Sequence, residues 1–142
     1  MNSLPSAATP RGVSRIVLDA SALLAILQQE PGSAIFSRQF DLLENAAMSA
    51  VNIAEAYGKL IGLGIDAEVA WEAVIAPIPE IAEFDKEQAK IAGSLLRQTR
   101  SLGLSLGDRA CLALGLVLKA PIYTADRAWK KLRLGVEIHI IR

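Results

Sequence analysis

Short apolar runs and longer stretches with helical spacing alternate along this chain. "RIVLD" (15–19) is a brief β-branched run with the composition of a buried strand. "ASALLAILQQE" (20–30) has helical composition and stops at Pro31-Gly32, and 33–45 reads as a further helix. "AAMS" (46–49) is the weakest strand candidate. Helices follow over 50–64, stopped by Gly62 and Gly64, and over 66–76, ended by Pro77 and Pro79. "EIAEF" (80–84) predicts a strand, and 85–103 a long amphipathic helix. Residues 106–120 are apolar nearly all round, which marks a buried helix. "PIYTA" (121–125) predicts a strand, 127–132 a short helix and "VEIHII" (136–141) a last strand.

Such alternation implies an α/β domain: three layers, α/β/α, with a mostly parallel central sheet and helices on both faces. A length of 142 residues suits one domain. Residues 1–14, rich in Ser, Ala, Pro and Gly, predict a flexible leader ahead of a domain over 15–142. The leader lacks the apolar core of a secretory signal. The longest apolar run, 110–118, falls far short of the ~20 residues a membrane span needs. Both features point to a cytoplasmic protein that does not enter a membrane.

Composition narrows the chemistry. Hydrophobic residues make up 52% of the chain, which disfavours disorder. Its 15 basic and 15 acidic residues cancel, so any basic surface for nucleic acid has to be local. A single cysteine, Cys111, and a single histidine, His139, exclude a four-ligand zinc site within one chain and any intrachain disulfide. A Ser-His-Asp or Cys-His mechanism would have to use His139, near the C-terminus. "GLG" (62–64) lacks the third glycine of a dinucleotide fingerprint, and no phosphate-binding P-loop is present.

What remains is carboxylate chemistry. Sites on open parallel sheets form beyond the carboxyl ends of the strands. Asp19 ends the first predicted strand, Asp126 follows "PIYT", Glu55 lies early in the helix after "AAMS", and Asp108 opens the buried helix. Each has a plain structural reading. Asp19 and Asp126 suit helix N-caps, Ser105 and Asp108 match a capping box, and Glu55 can face solvent or pair with Lys59 one turn on. Together they say more. Two unit charges about 4 Å apart repel by roughly 4 kcal/mol at an effective dielectric near 20. Four converging carboxylates therefore call for a cation or altered protonation. Oxygen-only donors suit Mg²⁺ or Mn²⁺, and a carboxylate-held ion of that kind suits phosphodiester hydrolysis.

"IVLDASALLAIL" (16–27), "SAVNIAEAYGKL" (49–60), "LSLGDRACLALG" (104–115) and "PIYTADRAW" (121–129) resemble, in order and spacing, the motifs of PIN-domain ribonucleases. They look most like the VapC toxins of type II toxin–antitoxin pairs. The resemblance covers roughly 15–141 and implies an α/β/α sandwich around a parallel sheet of about five short strands, with an acidic pocket at its edge. It makes Asp19, Glu55, Asp108 and Asp126 the four family acids. They would be the catalytic and metal-holding residues of an Mg²⁺-dependent (or Mn²⁺-dependent) ribonuclease. It further implies an RNA substrate such as tRNA or rRNA, a homodimer, and a cognate antitoxin that blocks the pocket. No family acid is missing, although the leader is longer than is typical.

Around these acids, Ser21, Asn52, Ser105 and Thr124 are candidates for supporting them. Ser21 and Ser105 also suit plain N-caps. Arg127, Lys130, Lys131 and Arg133 form a basic cluster that could grip RNA phosphates or simply be a solvated face. Arg109 and Lys59 are placed to pair with an acid. Trp71 and Trp129 could stack on bases, against a more ordinary packing role. His139, alternating with Ile138 and Ile140, and Cys111, inside the apolar helix, read as structural. Two rival functions use the same acids. A phospho-acceptor domain would need an acidic pair at the first strand end and a lysine after the last strand, and the chain has neither. A non-enzymatic PIN-like interaction module would keep the fold without the activity.

Overall fold

The computed structural model describes residues 14–142, apart from the side chain of Phe40. The expected leader therefore lies, but for Ser14, outside the described residues. Five strands form one sheet: β1 (Ile16–Leu18), β2 (Ala46–Ser49), β3 (Glu80–Ala82), β4 (Ile122–Thr124) and β5 (Ile138–Ile140). Their order is β3-β2-β1-β4-β5, and every pairing is parallel. β1 is the central strand. It pairs Val17 with Ala47 on one side and Ile122 on the other, and Leu18 with Tyr123.

Successive side chains on a strand point to opposite faces, and the packing follows that period. Ile16, Leu18, Ala46, Met48 and Tyr123 enter one core, with α1 (Ala20–Leu27), α2 (Ala34–Arg38), α4 (Ala50–Gly62) and α5 (Ala67–Ile75). Val17, Ala47 and Ile122 enter the other, with α6 (Lys86–Ser94) and α8 (Leu106–Leu118). The fold is thus three layers, α/β/α. Because β1 is covered on both faces, "IVL" is buried throughout and reads as a continuous apolar run. α8 lies against the sheet closely enough that a Cβ on Gly115 would collide with the side chain of Ile122.

Three expectations needed adjustment. "AAMS" is a full interior strand, buried at all four positions. Alanine is a poor strand former, and here packing between two helical layers decides the outcome. The helix expected over 33–45 is two short helices, α2 and α3 (Phe40–Glu44), parted where Gln39 turns to φ −127°, ψ 80°. The long helix expected over 85–103 is α6, α7 (Leu96–Thr99) and a 3-10 turn, Arg100–Leu102. The break follows Gly93-Ser94. The Ser94 hydroxyl donates to the Ile91 carbonyl at 2.8 Å, which also accepts from the Leu95 amide at 3.1 Å, and the next carbonyl, of Ala92, accepts from the Arg109 side chain at 2.9 Å. Among the described residues no helix is long and apolar enough to cross a membrane.

Candidate active site

Asp19 leaves the end of β1 as the N-cap of α1, and its Oδ1 accepts from the Ala22 amide at 2.8 Å. Two hydroxyls also serve it. Ser21 Oγ lies 2.7 Å from Oδ1 and 2.9 Å from Oδ2, and Thr124 Oγ1, at the end of neighbouring β4, donates to Oδ2 at 2.6 Å. Both hydroxyls are oriented in turn, since Ser21 Oγ accepts from the Ala125 amide at 2.9 Å and Thr124 Oγ1 from the Asp126 amide at 3.1 Å. Asp19 is only 3% exposed. Burial pushes its carboxyl up from 3.8 to about 6, and the charge of Asp108 adds to the rise. The bonds from Thr124, Ala22 and Ser21 pull the other way.

Asp108 is fixed by the capping box its sequence suggests. Its Oδ2 accepts from the Ser105 amide at 2.9 Å, and its own amide donates to Ser105 Oγ at 3.1 Å. Cap and site residue are therefore one side chain. Glu55 rises from α4. Asn52, buried one turn earlier, donates through Nδ2 to Glu55 Oε1 at 2.8 Å and to the Gly107 carbonyl of α8 at 3.0 Å. Asp126 is exposed and caps a 3-10 helix, Arg127–Lys131, accepting from the Ala128 amide at 2.9 Å.

All four acids line one cleft of about 270 Å³, together with Ser21, Ser105, Leu24 and Lys59. Their shared field reaches below the cleft. The Cys111 thiol, buried in α8, is pushed well up by burial first and then by Asp19, Asp108 and Glu55. The acids and hydroxyls of the cleft offer oxygen ligands, which fit a hard divalent ion. Among the described residues no three His, Cys, Asp or Glu side chains are close enough to cage an ion on their own. Bridging waters or substrate oxygens would have to complete any such shell.

The other candidates divide. Lys59 lines the cleft but forms no ion pair with Glu55 among the described residues. Arg109 forms no ion pair among the described residues; its Nη1 donates to the Ala92 carbonyl of α6 at 2.9 Å. Trp129 is fully buried in the α8-side core and is not available to stack on a base. Trp71 is 40% exposed and meets Tyr57 edge-on, with centroids 5.3 Å apart. His139 stacks on Tyr123 at 4.6 Å and pairs with Glu137, outside the acidic cleft. Within the basic cluster, Arg127 Nε donates to the Arg142 carbonyl and Arg133 to the carbonyls of Lys130 and Leu132. Lys130 and Lys131 are exposed. Lys130 and Arg133 line a separate, larger cleft of about 790 Å³ along β5, which none of the four acids touches.

Sequence reasoning missed one contributor. The tie from Asn52 to Gly107 spans residues far apart in the chain, and a lone glycine before an acid carries no signal of it.

A family model described as the PIN domain matches residues 16–134. No curated protein matches the chain. Among solved structures, the chain is similar to VapBC2 from Rickettsia felis bound to a promoter DNA fragment, with TM-score 0.69, 15% identity, and 87% of this chain and 96% of that one covered. DNA-bound VapBC from Salmonella typhimurium gives TM-score 0.68 and 15% identity, over 89% and 97% of the two chains. FitAcB from Neisseria gonorrhoeae gives 0.62 and 19%, over 87% and 95%. At these identities the likeness is one of fold.

Proposed function

The chain belongs to the PIN-domain family, and from that premise we propose that it is the toxin of a type II toxin–antitoxin pair, acting as a divalent-metal-dependent ribonuclease. The observation that carries the proposal is the cleft that Asp19, Glu55, Asp108 and Asp126 all line. A structural helix cap has no need of three further acids beside it, and their mutual repulsion favours a cation.

Asp19 and Asp108 would hold Mg²⁺ or Mn²⁺, with Glu55 and Asp126 reaching it directly or through water. Such an ion, when bound, supplies phosphate polarisation, water activation and leaving-group stabilisation. The chain supplies position. Ser21 and Thr124 aim both oxygens of Asp19, Ser105 locks Asp108, and Asn52 turns Glu55. The four acids together would position the attacking water, and Asp126 is the most open of them. Arg127, Lys130, Lys131 and Arg133 follow Asp126 and would grip flanking RNA phosphates. An antitoxin would block the cleft, and the working form would be a cytoplasmic homodimer whose substrate is a structured RNA such as tRNA or rRNA. Residues 15–142 would make up the PIN domain, with 1–14 a leader.

Purified chain, free of partner, incubated with total RNA and Mg²⁺ or Mn²⁺, is expected to cleave. Asp19→Asn is expected not to. Absence of cleavage by both proteins would sink the nuclease reading, as would equal cleavage by both. One observation favours a non-enzymatic module instead, namely that among the described residues no three His, Cys, Asp or Glu side chains are gathered around an ion position. A calorimetric metal titration separates the two. Binding that weakens in Asp108→Asn supports the nuclease, and no binding at all supports the module.

A further inference from the structure

We propose that Gly107 is a positioning residue of the acidic cleft: the absence of a side chain there lets the Glu55 carboxylate lie on the first turn of α8, where Asn52 holds it. For catalysis this rests on the metal-dependent nuclease reading; the steric fit stands on geometry alone. A Cβ on Gly107 would have the Glu55 carboxyl carbon and both its oxygens as its three nearest neighbours, all at overlapping distance. The helical glycines Gly58, Gly62 and Gly93 would each accept a Cβ with nothing within 4 Å. Gly107 is not among the glycines with positive φ, so the backbone makes no demand for glycine there. Alanine is the better helix former. The remaining demand is room for a carboxylate.

Asn52 completes the device. It is 1% exposed, and both hydrogens of its amide are used, one on Glu55 Oε1 at 2.8 Å and one on the Gly107 carbonyl at 3.0 Å. The carboxylate is thus held by an amide on one side and by the bare Cα of Gly107 on the other. Because that carboxylate ends a flexible side chain, a methyl group at 107 displaces it instead of prying α4 from α8. The protein stays folded and Glu55 leaves its place.

Gly107→Ala, Glu55→Ala and the double variant test this through urea midpoints without metal, Mn²⁺ calorimetry and steady-state RNA cleavage. Alanine at 107 is expected to raise the urea midpoint more in the Glu55→Ala background than in the wild type. Gly107→Ala is expected to lose at least tenfold in Mn²⁺ affinity and in kcat, with KM little changed, and to add no further loss once Glu55 is gone. Equal midpoint shifts in both backgrounds would overturn the proposal, as would wild-type Mn²⁺ binding by Gly107→Ala. If wild type binds no Mn²⁺ while the midpoint shifts remain unequal, the positioning stands and the metal reading falls. Should Gly107→Ala fail to fold while the double variant folds, the steric coupling of the two positions stands and the displacement of Glu55 within an intact fold is overturned.

Discussion

Asp19→Asn is expected to abolish cleavage and, without metal, to make the protein more stable relative to wild type as pH rises. The Asp19 carboxyl titrates near 6 in the fold against 3.8 unfolded, because it is buried and faces Asp108. Between those values the folded state holds a proton that the unfolded state releases, so stability falls as pH rises through the window and the loss is complete above about pH 6. The interval corresponds to roughly 3 kcal/mol. Asparagine carries no such penalty. Its amide still offers an oxygen to the Ala22 amide, and the cost of rearranging the Ser21 and Thr124 hydroxyls does not vary with pH. The measurable quantity is therefore the stability difference between the two proteins. In urea unfolding with EDTA, Asn should gain on Asp by roughly 3 kcal/mol between pH 3.5 and 7.5, a window about the two values. Saturating Mg²⁺ should reverse the ranking at neutral pH. Ligand at 1,000 times its Kd adds about 4.1 kcal/mol to the protein that binds it, more than the penalty of roughly 3 kcal/mol. A difference that stays flat with pH, or moves the other way, would refute burial as the cause of the raised value.

Trp129→Ala should cost about 3–5 kcal/mol in thermal or urea unfolding, as expected for a fully buried aromatic, whereas half-exposed Trp71→Ala should cost far less. Ser105→Ala should cost about 1 kcal/mol through the lost cap and lower cleavage as well, because the same bond steers Asp108; intact kcat with lowered stability would separate the two roles. Thr124→Val removes a donor that lowers the Asp19 value, so the acid limb of the cleavage profile should move to higher pH, read from kcat against pH. Lys130→Ala with Lys131→Ala should weaken RNA binding and flatten its salt dependence while leaving Mn²⁺ affinity unchanged.

The hydrophobic rhythm carried most of the fold, because each strand and helix faces one of two cores. Where it failed, local signals were outweighed. "AAMS" has little strand propensity, yet lies between β1 and β3 with both faces covered. The helix over 85–103 breaks at Leu95, where side-chain and backbone geometry override a continuous amphipathic pattern. In the site, Asp19 and Asp126 were legible as helix caps at strand ends and Asp108 as the capping-box partner of Ser105, and the structure gives each that role while all three line one cleft. Trp129 took the packing role that was the more ordinary of its two readings. The Asn52–Gly107 tie had no trace in the sequence, since it joins α4 to α8 through a backbone carbonyl.

The place of β1 at the centre of the sheet also sets when the cleft can exist. Thr124 bonds Asp19 across a sequence separation of 105 residues, and β4 is the strand that brings it there. Contacts this distant form only after the intervening loop is closed, which makes them late and slow steps. A ribosome delivers the chain from its N-terminus, so Asp19, Glu55 and Asp108 all emerge before the strand that seats the first of them. A partly synthesised chain holds three acids and no assembled cleft. Under the proposed function, any hazard begins only once β4, the strand that seats Asp19, has cleared the ribosome.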